Sequence, residues 1–160
     1  MREPNDLYGD SWDEDPAASD SAQSELIFVF SRGSWGSDLD YYIYKTENGL
    51  RLKCSAVRMF DDIAPDHDFL FPETAIAGLI KSLGPVRKWE ARYLSGVRDG
   101  YGWSIKLNYN GDRISVIGDT MFPDNYKPVK AAIQEELEKL CEKYDPEHYD
   151  REYRQKRIEL

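Results

Sequence analysis

The chain has 160 residues, 41% of them apolar and 13% aromatic, which is enough to fill one domain core and leave tails over. Its formal charge of −9 is unevenly held: residues 1–25 carry eight acids against the single base Arg2, leaving 22 acids and 20 bases over residues 26–160. A body so near neutrality offers no broad basic surface for nucleic-acid phosphates. No apolar run reaches membrane-spanning length and no hydrophobic signal stretch follows Met1, so the expected location is cytoplasmic.

Residues 1–24, rich in Asp, Ser, Ala and Pro, read as a disordered acidic tail, because they cannot bury enough surface to offset chain entropy. Within the tail, Trp12 stands among Asp10, Asp13, Glu14 and Asp15, where its ring could supply burial on a partner while the carboxylates steer. Leu26–Phe30 is a continuous apolar run of strand length, expected to be buried and central. Ser31–Ser37, which includes Trp35, is a loop by composition. Two strands, 39–46 with Tyr41 and 50–57, flank Asn48-Gly49, a strong hairpin signal because both residues tolerate positive φ. Residues 58–71 read as a connection in which Asp61, Asp62, Asp66 and Asp68 surround His67. Phe71-Pro72-Glu73 then opens a helix whose Ile76, Leu79, Ile80 and Leu83 share a face, and Gly84-Pro85 stops it.

The second half runs in the same order. Residues 86–94 are expected as a strand, 95–102 as a loop with Tyr101, and 103–109 as a strand led by Trp103. Asn110-Gly111 turns the chain into 113–117. Phe122-Pro123-Asp124-Asn125 leads to a helix near 126–144, with Val129, Ile133, Leu137, Leu140 and Cys141 as its buried stripe and Lys130, Glu135, Glu138, Glu142 and Lys143 toward water. Residues 145–160 form a charged extension. Ile43–Leu52 aligns with Ile105–Ile114 without a gap, matching Ile, Asn-Gly and Arg-apolar positions. The expected fold is therefore α+β: one domain over 25–144, built of two βββα units that share a mainly antiparallel sheet with helices on one face.

The chemistry-bearing residues are sparse. Asp61, Asp62, Asp66, His67 and Asp68 are the metal-ligand candidates, hard oxygens with one imidazole, and a metal-dependent hydrolase or small-ligand binder is one reading of them. The segment lacks the calcium-loop order, and a solvated acidic loop is the competing reading. No paired carboxylates, nucleophile elbow or phosphate-cradling loop accompanies the two histidines. The expectation is thus a non-enzyme without a cofactor. Cys54 and Cys141 have no metal or redox spacing and read as buried free thiols. Trp35, Tyr41, Tyr101 and Trp103, at loop and strand ends, are with Trp12 the candidate partner-binding residues, since Tyr and Trp dominate interface energetics.

Trp89, Asp99-Gly100-Tyr101-Gly102-Trp103, Gly118 and Phe122-Pro123-Asp124-Asn125-Tyr126 together resemble a pattern of small uncharacterised bacterial α+β proteins, in which a Trp strand and a DG…W strand lead to a P-x-N helix start. The resemblance covers the last third of the chain and implies a small bacterial α+β domain, with no site. The functional expectation is an interaction module of the immunity, inhibitor or adaptor type that holds a protein partner with a basic surface. An acidic nucleic-acid mimic, phage-encoded, is the alternative that the near-neutral body counts against.

Overall fold

Period-two alternation along the chain builds one sheet. The computed structural model describes residues 24–34, 37–58, 66–96 and 102–149. Its strands are β1 (Glu25–Ser34), β2 (Ser37–Thr46), β3 (Gly49–Arg58), β4 (His67–Phe71), β5 (Arg92–Tyr93), β6 (Gly102–Tyr109) and β7 (Asp112–Gly118). They lie in the order β4-β3-β2-β1-β6-β7-β5, every neighbouring pair antiparallel except the parallel β5–β7 pair. The helices are α1 (Ala77–Ser82) and α2 (Tyr126–Tyr144). The architecture is α+β with a mainly antiparallel sheet, and β1, the continuous apolar run, is paired on both edges between β2 and β6.

Three departures from the sequence expectation have physical causes. His67–Phe71, read as part of a connection, is edge strand β4: His67, Phe69 and Phe71 point inward while Asp68 and Leu70 point out, an alternation masked by the surrounding acids. Val86–Leu94, read as a strand, is mostly not one. Gly84-Pro85 starts a 3₁₀ turn over Gly84–Lys88 that anchors Val86 in the core, and only Arg92–Tyr93 reach the sheet. There the carbonyls of Ala91 and Tyr93 accept from the amides of Ile117 and Asp119 at 3.0 Å. The two hairpins also turn differently. Glu47-Asn48 connects Thr46 to Gly49, which has φ 118°, whereas Asn110 (φ 50°) and Gly111 (φ 81°) themselves form the second connection. Ile43 consequently pairs with Leu52, but the aligned Ile105 pairs with Val116, two residues beyond the counterpart of Leu52.

The registers sort the sheet into lateral rows. On one face run His67–Cys54–Tyr41–Phe30–Ile105–Val116 and, one step toward the Ser34–Ser37 end of the β1–β2 ladder, Ala56–Leu39–Arg32–Trp103–Gly118. On the other face a row reads Asp68–Lys53–Tyr42–Val29–Lys106–Ser115. Helix α2 crosses the first face obliquely. Tyr126 packs on Trp103 of β6 at 4.9 Å between ring centroids, Glu138 meets Tyr41 of β2, and Asp145 just past the helix end meets His67 of β4. Ile133, Leu137 and Cys141 fill the space between and are buried with Phe28, Phe30, Ile43, Leu52 and Leu107. Cys54 and Cys141 are free thiols in this core. Glu138, expected toward water, is fully buried, and Lys130 is half-buried.

Candidate protein-binding site

An aromatic cluster closes the β7–β5 side of the sheet. Trp103 is its hub: Tyr126, Tyr93, Trp89 and Phe122 surround it with ring centroids 4.9–6.0 Å away, Phe122 stacked nearly parallel at 10°. Its backbone partner is Gly118, and a Cβ added there would fall inside the Trp103 indole, so glycine is what lets the ring lie flat on β7. The indole N–H of Trp103 donates to the Met121 carbonyl at 3.1 Å, and that of Trp89 donates to Asn125 Oδ1 at 2.8 Å. Asn125 occupies the N-cap position of α2 without bonding a helix amide through its side chain; that side chain fixes Trp89 instead.

Beside this rigid cluster lies an apolar rim. Leu94, Met121 and Phe122 are 36%, 47% and 40% exposed, three of the four large apolar side chains exposed among the described residues. The rim is held from beneath by Asp119, itself 2% exposed. Its carboxylate accepts from the amide of Ser95 at 2.9 Å to each oxygen, and from the amides of Gly96 and Met121 at 3.3 Å. Burial works to raise its pKa, but the hydrogen bonds from Ser95, Met121 and Gly96 outweigh it and hold the carboxyl below the ordinary 3.8. One buried anion thus ties the segment after Leu94 to the segment carrying Met121. Large apolar side chains presented on a fixed backbone form a binding surface with little ordering cost.

A cationic element neighbours the hub. Arg32, 3% exposed, is the register partner of Trp103 on the α2 face, and Lys130 of α2 lies near enough for its charge to be felt. Burial, with Arg32 second, depresses the Lys130 amine from 10.5 to about 8.

The structure distributes the sequence candidates unevenly. Trp103 lies at the centre of the cluster, 3% exposed, and supports the rim from within. Tyr41 is fully buried 97 residues from its hydrogen-bond partner Glu138, between β2 and α2. Trp12, Trp35, Tyr101, Asp61 and Asp62 lie outside the described residues. Asp66 is exposed, His67 is buried with Nδ1 2.9 Å from Asp145 Oδ2, and Asp68 takes a bidentate pair from Arg51 at 2.7 and 2.8 Å. Among the described residues no three His, Cys, Asp or Glu side chains gather to hold a metal.

Sequence reasoning missed Leu94, Met121 and Asp119. Asp119 gave one faint signal, as an acid directly after a strand glycine and before Thr120. In the sequence Phe122 reads only as part of a helix start. Among the described residues no helix is long and apolar enough to cross a membrane. Comparison of the chain with protein families, with curated proteins and with solved structures finds no match in any of the three.

Proposed function

We propose that this chain is a non-enzymatic protein-interaction module of the immunity, inhibitor or adaptor type, acting in a bacterial cytoplasm. The observation that carries the reading is the Leu94–Met121–Phe122 rim, exposed yet mounted on a buried aromatic hub and a buried carboxylate. An apolar anchor on a rigid base, with acidic residues 1–25 to steer a basic partner, has the elements of a protein interface. The resemblance of the Trp89–Tyr126 pattern to small bacterial proteins supports the setting. We also read α1 as sharing the sheet face of α2, because it packs on α2 and adds Leu79 to the same core. The duplication of a βββα unit rests on the two hairpins and the Phe-Pro helix starts.

The test is affinity capture from the host with the wild-type chain and with a Met121→Asp/Phe122→Asp double variant, followed by titration calorimetry on whatever partner is identified. The expected result is a partner bound by the wild type and weakened at least about a hundredfold by the double variant, as for loss of an interface anchor. Equal binding by both proteins removes the rim from the interface, and capture of no partner by either removes the interaction reading.

A further inference from the structure

The geometry points to the outer edge of β4 as a strand-addition site, which takes an extended basic segment of a protein partner. The proposal rests on the interaction reading above and adds to the rim a second surface with its own chemistry. Among the described residues β4 has β3 on one side and no strand on the other. A Cβ added at Gly49 of β3 would lie 2.9 Å from the Phe71 carbonyl oxygen, so Phe71 directs its carbonyl at β3. Bonded and non-bonded residues alternate along an antiparallel ladder. His67 and Phe69 therefore bond β3 as Phe71 does, while the N–H and C=O of Asp68 and Leu70 point outward. Pro72, two residues on, has no N–H, and its carbonyl accepts from the Ala75 amide at 3.0 Å. An antiparallel strand laid along this edge gains backbone bonds to both groups of Asp68 and of Leu70.

The side chains select what fits. On the outer face Leu70 is 51% exposed, the most exposed large apolar side chain among the described residues, and it borders a groove of about 520 Å³ lined with Thr46, Asn48, Arg51 and Asp68. On the α2 face Phe69 stacks on Tyr144 at 15° and carries the core out to the edge. A partner strand with apolar residues on one face and polar residues on the other matches both. The edge also sets its charge. Residues 59–80 hold five acids and no lysine or arginine. Arg51 takes Asp68 and Lys45 lies 3.9 Å from Glu73, which leaves exposed Asp66 next to the strand and exposed Glu47 in the groove. Edge strands are commonly guarded against pairing by lysine, proline or a bulge. Within its five residues β4 has no lysine, no proline and no register shift against β3. A second copy would set these acids against themselves on a chain of charge −9, whereas a basic strand complements them.

The probe is a blocked peptide of alternating lysine and valine, titrated into the full-length protein labelled with nitrogen-15 and followed by amide NMR. Saturable shifts are expected at the amides of Asp68 and Leu70. A peptide of alternating glutamate and valine should bind at least about tenfold more weakly, since it sets like charges against the edge. Leu70→Pro deletes an outward N–H without removing a bond to β3, and should weaken the lysine peptide at least about tenfold, as for one lost hydrogen bond. Leu70→Lys, at the same exposed position, is the second variant; it keeps the strand, opposes the peptide with a like charge and should weaken it comparably. The Met121→Asp/Phe122→Asp variant should bind the peptide as the wild type does, so failure at the edge leaves the interaction reading to the capture experiment on the rim. The proposal is overturned by absence of saturable binding, by equal binding of the two peptides, or by undiminished binding to both Leu70 variants. Shifts confined to Leu94, Met121 and Phe122 also overturn it, as does broadening at Asp68 and Leu70 that grows with protein concentration without peptide, which would give the edge to a second copy.

Discussion

Tyr41 Oη donates a 2.8 Å hydrogen bond to Glu138 Oε2 where β2 passes beneath α2, and both side chains are wholly shielded from water. Burying a carboxylate is costly unless donors meet it. This bond therefore fixes the height and rotation of α2 over the sheet more sharply than the aliphatic contacts around it. Tyr41→Phe removes the donor while keeping the ring that packs edge-on at 6.0 Å against Phe30. The expected loss is about 1–3 kcal/mol, read as a lower urea midpoint with unchanged slope. Glu138→Leu in the Tyr41→Phe background should recover much of that loss, because replacing both partners of a buried hydrogen bond by apolar groups costs less than removing one of them. A double variant less stable than either single one would contradict this account.

That relationship also marks the limit of what the chain's local pattern conveys. Residues 130, 134 and 138 recur at helical spacing beside the apolar positions 129, 133, 137 and 141, so the geometry of a buried Glu138 was present in the sequence; its acidic identity argued for solvent. What overrides identity is the phenol of Tyr41, a contact no local window contains. The hairpins, the central β1 and the span of α2 were legible because they follow from turn residues and periodicity within a few positions. β4 was hidden since its outward residues are Asp68 and Leu70 rather than a clean polar set. β5 exists only through two long-range amide bonds to β7. Trp103 stood out as a significant residue, but its role depended on Gly118 lying opposite, which only the register reveals.

Asp119 makes the rim sensitive to acid. Its folded pKa lies below the ordinary 3.8, so its contribution is fully present above that value and is lost as pH falls through the depressed one. Asp119→Asn keeps the shape but removes the charge that strengthens the amide bonds from Ser95, Gly96 and Met121. At neutral pH the variant should be less stable by about 2 kcal/mol. Urea unfolding at a series of pH values should show the two proteins converging below pH 4. A gap of constant size down to pH 2.5 would mean that the carboxylate charge is not what holds the two segments.

Lys130 should titrate near pH 8 rather than at its ordinary 10.5, chiefly through burial and secondly through Arg32. For a base with a depressed folded pKa, the unfolded chain binds the extra proton between the two values, so the penalty on folding is complete below pH 8 and disappears as pH rises toward 10.5. Lys130→Met should accordingly stabilise the protein at pH 7 and lose that advantage by about pH 10.5. Side-chain carbon NMR of labelled lysine gives the midpoint directly, and Arg32→Met should move it upward. A midpoint above 10 in the wild type would contradict the burial argument.

Asp145 joins the end of α2 to edge strand β4 and to the turn that follows. Its Oδ2 takes His67 Nδ1 at 2.9 Å and its Oδ1 takes His148 Nδ1 at 2.8 Å. The hydrogen bond that His148 donates to Asp145 raises the His148 pKa above 6.5, so this contact is intact below 6.5 and is lost as pH rises through the raised value. For Asp145, burial pushes the pKa up, but the bonds from His148 and His67 outweigh it and hold the pKa below 3.8; its contribution is lost only as pH falls below that range. The shared clasp is therefore complete between the two limits, in mildly acidic solution. Proton NMR should place the His148 midpoint above 6.5 in the wild type and return it to the ordinary value in Asp145→Asn. The variant should also show faster amide exchange at 145–149 at pH 5, with the difference narrowing at pH 9. A His148 midpoint unmoved by the substitution would show that the imidazole and the carboxylate are not joined in solution.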